Sequence, residues 1–145
     1  MKLKSQNLTF FSPKNTHSKG AIFFDTGISA GFPSPADDFK ETRISLDEEL
    51  IQNKEATFFA RVSGQSMIGA GLDDNDLLVI DRSIEPKNNK IAVCFLDGEF
   101  TVKRLRVEGN EVWLQPENPN YPIIKITEEN NFVIWGIVTN VIKRV

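Results

Sequence analysis

Beyond residue 56 the chain is a succession of short apolar runs set between polar turns, a pattern that predicts strands. Thr57–Val62 is one such run. Asp76–Asp81 is another, with Leu77, Leu78, Val79 and Ile80 in sequence. Lys90–Leu96 and Glu99–Val107 flank Asp97-Gly98, a pair that favours a tight β-hairpin. Glu108-Gly109-Asn110-Glu111 turns the chain again into Val112–Gln115. Pro116, Pro119 and Pro122 mark a loop, and Ile123–Thr127 and Phe132–Ile142 complete the pattern. Phe132–Val138 holds seven consecutive apolar residues, more than a strand wetted on one face would carry. Burial on both faces explains the run, and a homodimer interface involving Trp135 is the other explanation. Trp113 reads as a core or groove aromatic. The prediction is a mainly β, mostly antiparallel fold with few helices. There is no internal repeat and no glycine-rich phosphate loop.

Residues 1–43 follow no such rhythm. They mix Ser, Asn, Lys, Gly and Pro, and Pro33 and Pro35 force extended backbone around Gly31–Ala36. This part reads as a flexible N-terminal arm, with residues 44–145 as the β-rich domain. The apolar pieces Phe10-Phe11 and Ala21–Phe24 suggest that parts of the arm dock on a groove. Ser45-Leu46-Asp47-Glu48 has the form of a capping box and predicts a short helix through about Gln52. The acidic run Asp47–Glu49 suits a helix start, or is simply a solvated charged face.

Composition narrows the function classes. At 145 residues, with 40% hydrophobic and 26% charged content, the chain suits one soluble globular domain. A net charge of −3 offers no electrostatic attraction to nucleic acid, so no specific DNA binding is expected. No apolar run approaches the ~20 residues of a membrane span, nor the about 7–15 of a signal-peptide core. With one cysteine, Cys94, in an apolar run, no intrachain disulfide forms and a core thiol is expected. A cytoplasmic protein is the expectation. His17, the one histidine, lies in a polar stretch away from any predicted element. One His and one Cys do not make a zinc site, and no cofactor is expected. Asp73-Asp74-Asn75-Asp76 lacks the glycine and distal glutamate of a calcium loop and reads as a turn before a strand.

A hydrolase with these residues would draw its base from lysine. In the strand Glu99–Val107, Thr101, Lys103, Leu105 and Val107 share one face, while Arg104 and Arg106 share the other. Lys103 on an apolar face breaks the local rule, and such breaks are where sites are expected. Desolvation lowers a lysine's pKa, and a neutral lysine can act as general base toward a serine hydroxyl. Ser66 lies at the exit of the strand Thr57–Val62, among Ser63, Gly64 and Gly69. Small residues there let a peptide approach, with the main-chain amides of Ser66 and Met67 facing a developing oxyanion. The bland alternative is a lysine that reaches water at a sheet edge and a serine that caps a turn. Ala30-Gly31, beside the proline-extended segment, is a small and unhindered bond of the kind a protease cleft takes.

Ser63-Gly64-Gln65-Ser66-Met67 followed by Phe100-Thr101-Val102-Lys103-Arg104-Leu105, with the lysine 37 positions after the serine, resembles the LexA-type self-cleaving serine peptidases. Ala30-Gly31-Phe32-Pro33-Ser34-Pro35-Ala36, Asp76–Asp81 and Asp97–Lys103 resemble the UmuD type within that family. The resemblance covers about residues 30 to 143. It implies curved antiparallel sheets of the LexA/UmuD C-terminal peptidase type with an extended N-terminal arm. It implies Ser66 as nucleophile, Lys103 as general base and Ala30-Gly31 as the bond cut. It further implies a homodimer, stimulation by a RecA filament, and association of the processed form with the UmuC polymerase in mutagenic translesion synthesis. Ala30 departs from the UmuD type, better known with Cys there, while LexA-type sites commonly have Ala. Repressors of the family carry a helical DNA-binding domain before the cleaved bond; residues 1–30, broken by Pro13, Gly20 and Gly27, fit no helix-turn-helix. Two other readings remain open on sequence. One is a binding module whose surface changes when the arm is released, and the other is a repressor-derived fragment.

Overall fold

The computed structural model describes residues 8–13, 21–24, 30–31 and 41–145. Two compact units divide these residues. One contains 8–13 and 53–145, and the other lies within 14–52.

The larger unit is built on a single antiparallel sheet of eight strands. Its strands are β1 (Thr9–Phe11), β4 (Thr57–Arg61), β5 (Leu77–Asp81), β6 (Ile91–Leu96), β7 (Glu99–Glu108), β8 (Glu111–Gln115), β9 (Ile124–Lys125) and β10 (Phe132–Ile142). The spatial order is β1-β4-β5-β10-β6-β7-β8-β9. The mainly β architecture expected from the apolar pattern is therefore present, with boundaries close to those predicted. Two differences stand out. The run Ile123–Thr127 forms only a two-residue strand, because Ile123 is exposed and the pairing to β8 is limited to Lys125 and Ile124. Phe10, expected only to dock, sits in a true edge strand, with Thr9, Phe10 and Phe11 opposite Arg61, Ala60 and Phe59. Its ring packs 5.0 Å from Phe100 and 4.7 Å from Trp135, centroid to centroid.

The apolar run Phe132–Val138 lies in β10, between β5 and β6. One core cluster (Ala60, Val62, Met67, Leu72, Leu78, Ile80, Val93 and Val102) gathers Trp135 and Val138 against it. A second (Ala92, Cys94, Leu105, Leu114 and Ile137) gathers Phe132 and Ile134. Five side chains of the run thus have apolar partners in one cluster or the other, which accounts for most of its hydrophobicity, while Val133 is exposed. Gly136 is required there, since a Cβ would lie 2.5 Å from Ile80 Cγ2. Asp97 and Gly98 both take positive φ, 48° and 89°, as a two-residue hairpin turn between twisted strands needs. Cys94 is buried in the second cluster, as expected of a core thiol. Trp113 is half-buried, with the Lys125 ammonium 5.6 Å from its ring centroid.

In the smaller unit β2 (Ala21–Phe24) pairs antiparallel with β3 (Glu41–Ile44). α1 (Leu46–Leu50) begins after Ser45 and stops short of Gln52. The capping box does not close. Ser45 makes no side-chain cap, and only its carbonyl is engaged, by the Glu49 N–H at 3.0 Å. None of the helix is buried, so its acidic run is a solvated face. His17 lies outside the described residues. Among the described residues no helix is long and apolar enough to cross a membrane.

Candidate active site

Ser66 reaches its place through a turn that three segments hold. Gly64 leaves β4 with φ 103°, a conformation that only glycine adopts easily. Its N–H donates to Asp74 Oδ1 at 2.9 Å. The Val62 N–H donates to the Asp76 carbonyl at 2.8 Å, and the Asn75 N–H to the Val62 carbonyl at 2.7 Å. Residues 73–76 are therefore the turn that the sequence predicts, and they also brace the approach to Ser66. Asp76 is buried, and its carboxylate accepts from the Asp73 N–H at 2.8 Å and from the Lys143 ammonium. Burial pushes this carboxyl up, but the bonds from Lys143 and Asp73 and the Lys143 charge outweigh it, leaving the pKa below its ordinary value. Among the described residues no cluster of three His, Cys, Asp or Glu side chains could hold a metal ion.

Met67 anchors the next position, 1% exposed in the first core cluster, and a 3₁₀ turn over Ile68–Ala70 follows. The third support is the loop after β8. The Glu117 N–H donates to the Ser66 carbonyl at 2.9 Å, and the Gly69 N–H to the Glu117 carbonyl at 2.8 Å. A Cβ on Gly69 would stand 2.5 Å from that carbonyl oxygen. Asn118, buried, donates through Nδ2 to the Gln65 carbonyl at 2.9 Å.

Lys103 comes from β7, opposite Ala92 and flanked on its own strand by Thr101 and Leu105. Both Ser66 and Lys103 are buried, 2% and 6% exposed. Lys103 Nζ stands 3.1 Å from Ser66 Oγ, 2.6 Å from Thr101 Oγ1 and 3.1 Å from the Val102 carbonyl oxygen. The lysine therefore does not reach for water at the sheet edge. Burial pulls its pKa down from 10.5 to about 8, with Cys94 opposing weakly. Burial pushes the Cys94 thiol up to about 12, so at pH 8 it is neutral and offers no anion to hold the lysine charged.

The three oxygens accept from all three N–H groups of a charged ammonium, and they also suit a neutral amine. Such an amine has two N–H donors and one lone pair. The Val102 carbonyl can only accept, and the Thr101 hydroxyl accepts at short range. In the neutral form the lone pair faces the Ser66 hydroxyl, 3.1 Å away, which then donates to Nζ, whereas in the charged form it accepts from the ammonium. This arrangement can take a proton from the serine hydroxyl, the step that activates a weak nucleophile.

Of the other residues singled out on sequence, Ala30 and Gly31 are exposed and belong to the smaller unit, between β2 and β3. Thr101, Glu117, Asn118 and Asp74 were not singled out for the site. Thr101 was visible, sharing the face of Lys103 two residues away. Asn118 stands among Pro116, Pro119 and Pro122, which signal only a loop.

Residues 22–139 match the family model described as Peptidase S24-like. The chain belongs to the peptidase S24-like family. Among curated members of related sequence, Protein ImpA of Salmonella typhimurium is 44% identical over 132 residues, covering 91% of this chain and 90% of that one. Protein MucA of Salmonella typhimurium is 41% identical over 119 residues, covering 81% of each. The LexA repressor of Delftia acidovorans is 38% identical over 116 residues, covering 80% of this chain and 51% of the repressor. The UmuD-type resemblance drawn from the motifs agrees with these relatives, and the eight-stranded antiparallel sheet agrees with the fold the family was expected to bring.

Proposed function

We propose that this S24-like chain is a self-cleaving serine endopeptidase of the UmuD type, with Ser66 as nucleophile and Lys103 as general base. The observation that carries the reading is the buried contact of 3.1 Å between Lys103 Nζ and Ser66 Oγ. Ser66 Oγ attacks the carbonyl carbon of Ala30 as its proton passes to Lys103. The main-chain amides of Ser66 and Met67 stabilise the oxyanion. The C–N bond then breaks, Lys103 delivers the proton to the leaving amine of Gly31, and Ala30 is left as an ester on Ser66. Lys103, neutral again, draws a proton from water, which hydrolyses the ester. The exposure of Ala30 and Gly31 supports their role as the bond cut. Residues 1–43 act as the arm that carries this bond, with Thr9–Phe11 of it added to the edge of the sheet, and residues 44–145 as the peptidase domain.

The same reading brings the partners of the UmuD type. The chain works as a homodimer, a RecA filament stimulates its cleavage, and the processed form joins the UmuC polymerase subunit in mutagenic translesion synthesis. Mass spectrometry of the purified chain after alkaline incubation tests the cleavage. Fragments of 30 and 115 residues are expected from the 145. A chain that stays intact, or is cut at another bond, contradicts the assignment.

A further inference from the structure

The nucleophile and the base lie on different segments, so something must fix their separation. The strand β7 holds Lys103 by its ladder to β6. Ser66 has no such ladder, being in a turn. That turn is tied to the loop after β8 at three points. The Glu117 N–H meets the Ser66 carbonyl, the Gly69 N–H meets the Glu117 carbonyl, and the Asn118 side chain meets the Gln65 carbonyl. Asn118 is itself fixed at its other end, where Oδ1 accepts from the Asn120 N–H at 3.0 Å. The loop is in turn tied to β7. Arg104, the residue after Lys103, donates through Nε to Glu117 Oε1 at 2.5 Å and through Nη1 to the Asn89 carbonyl at 2.7 Å.

The geometry points to Asn118 and the Arg104–Glu117 pair as positioning residues that register the Ser66 turn against the strand carrying Lys103. This rests on the Ser66–Lys103 reading above. Asn118 contributes a donor from a buried side chain to the carbonyl just before the nucleophile. Arg104 and Glu117 close a circuit in which base strand, loop and nucleophile turn share one frame. Displacement of a reacting group by about 1 Å can cost about 10²-fold in rate, so a brace at this point governs turnover. The turn also meets Lys103 through Ser66 Oγ, and the titratable neighbour facing that lysine is Cys94. Loosening the turn lets water reach the amine.

The test measures first-order self-cleavage across pH in the full chain and in Asn118→Ala, Asn118→Asp and Arg104→Gln. Glu111→Gln serves as control, since exposed Glu111 pairs with Lys125 and touches no residue of the brace. Asn118→Ala should lower the plateau rate about tenfold or more. Its inflection should move to higher pH, toward an ordinary lysine. Asn118→Asp keeps the acceptor for Asn120 but loses the donor to Gln65, and should fall at least as far. Arg104→Gln should fall less, and Glu111→Gln should match the parent. Variants that are only less stable, measured well inside the folded baseline, would keep both rate and inflection, and that result overturns the proposal. If the parent does not cleave, the functional reading fails on its own. An NMR titration of Lys103 Cε in parent and Asn118→Ala then decides the brace: an upward midpoint shift supports it, and an unchanged midpoint overturns it.

Discussion

The segment around Ser66 and Lys103 and the segment around Ala30 and Gly31 are built on opposite terms. The first is dry, with each polar group assigned a partner, and lies in the larger unit. In the second, Ala30 and Gly31 are exposed, between two four-residue strands of the smaller unit. Chemistry that needs an uncharged amine requires the first environment, because only burial pulls a lysine down to about 8. A bond that is to be cut requires the second, because a peptide must be free of a ladder before it can enter a cleft.

Changes at the buried pair should be the most severe. Ser66→Ala and Lys103→Ala should each slow self-cleavage by about 10²–10⁴-fold or more, read as fragment formation by mass spectrometry. Cleavage at the parental rate in either variant breaks the comparison at its root.

The next effect is on stability and carries a sign. The Lys103 pKa is lowered from 10.5 to about 8 in the folded chain, so between those values the unfolded chain binds more protons. Stability therefore rises with pH across that window, and below it the buried charge costs up to about 3 kcal/mol. Lys103→Met, which keeps most of the volume, should have a urea midpoint at neutral pH at or above the parent's. The gap should close toward about pH 10.5. A large loss of stability at neutral pH would mean that the lysine is not held at the expense of folding.

Gly69→Ala should destabilise by about 1–3 kcal/mol in chemical unfolding, because its Cβ meets the Glu117 carbonyl oxygen at 2.5 Å. An unchanged midpoint would mean that the loop gives way freely. The smallest effect belongs to exposed Ala30. Ala30→Ser should leave stability within about 0.5 kcal/mol of the parent. A larger loss would show that Ala30 is packed in the working molecule.

Much of this was readable from residue types because the physics there is local. The alternation in β7, the Asp97-Gly98 turn and the apolar run in β10 each state their own structure. Lys103 announced itself by lying on the wrong face. What stayed hidden depends on partners distant in sequence. β3 is Glu-Thr-Arg-Ile, with Ile44 as its one apolar residue, and it pairs with β2 along its whole length. Asn118 sits 53 residues from the Gln65 carbonyl that it bonds, and no spacing rule connects them. Ser45 shows the reverse case, a capping pattern whose side-chain bond never forms.

The proposed chemistry stands or falls with a lysine that loses its proton beside a serine hydroxyl. The pH dependence of the first-order self-cleavage rate, followed by mass spectrometry, tests it most directly. The rate should climb as pH rises through about 8 and then level off as the amine becomes fully neutral. A rate that is flat, or falls, from neutral to about pH 10 would contradict a lysine base.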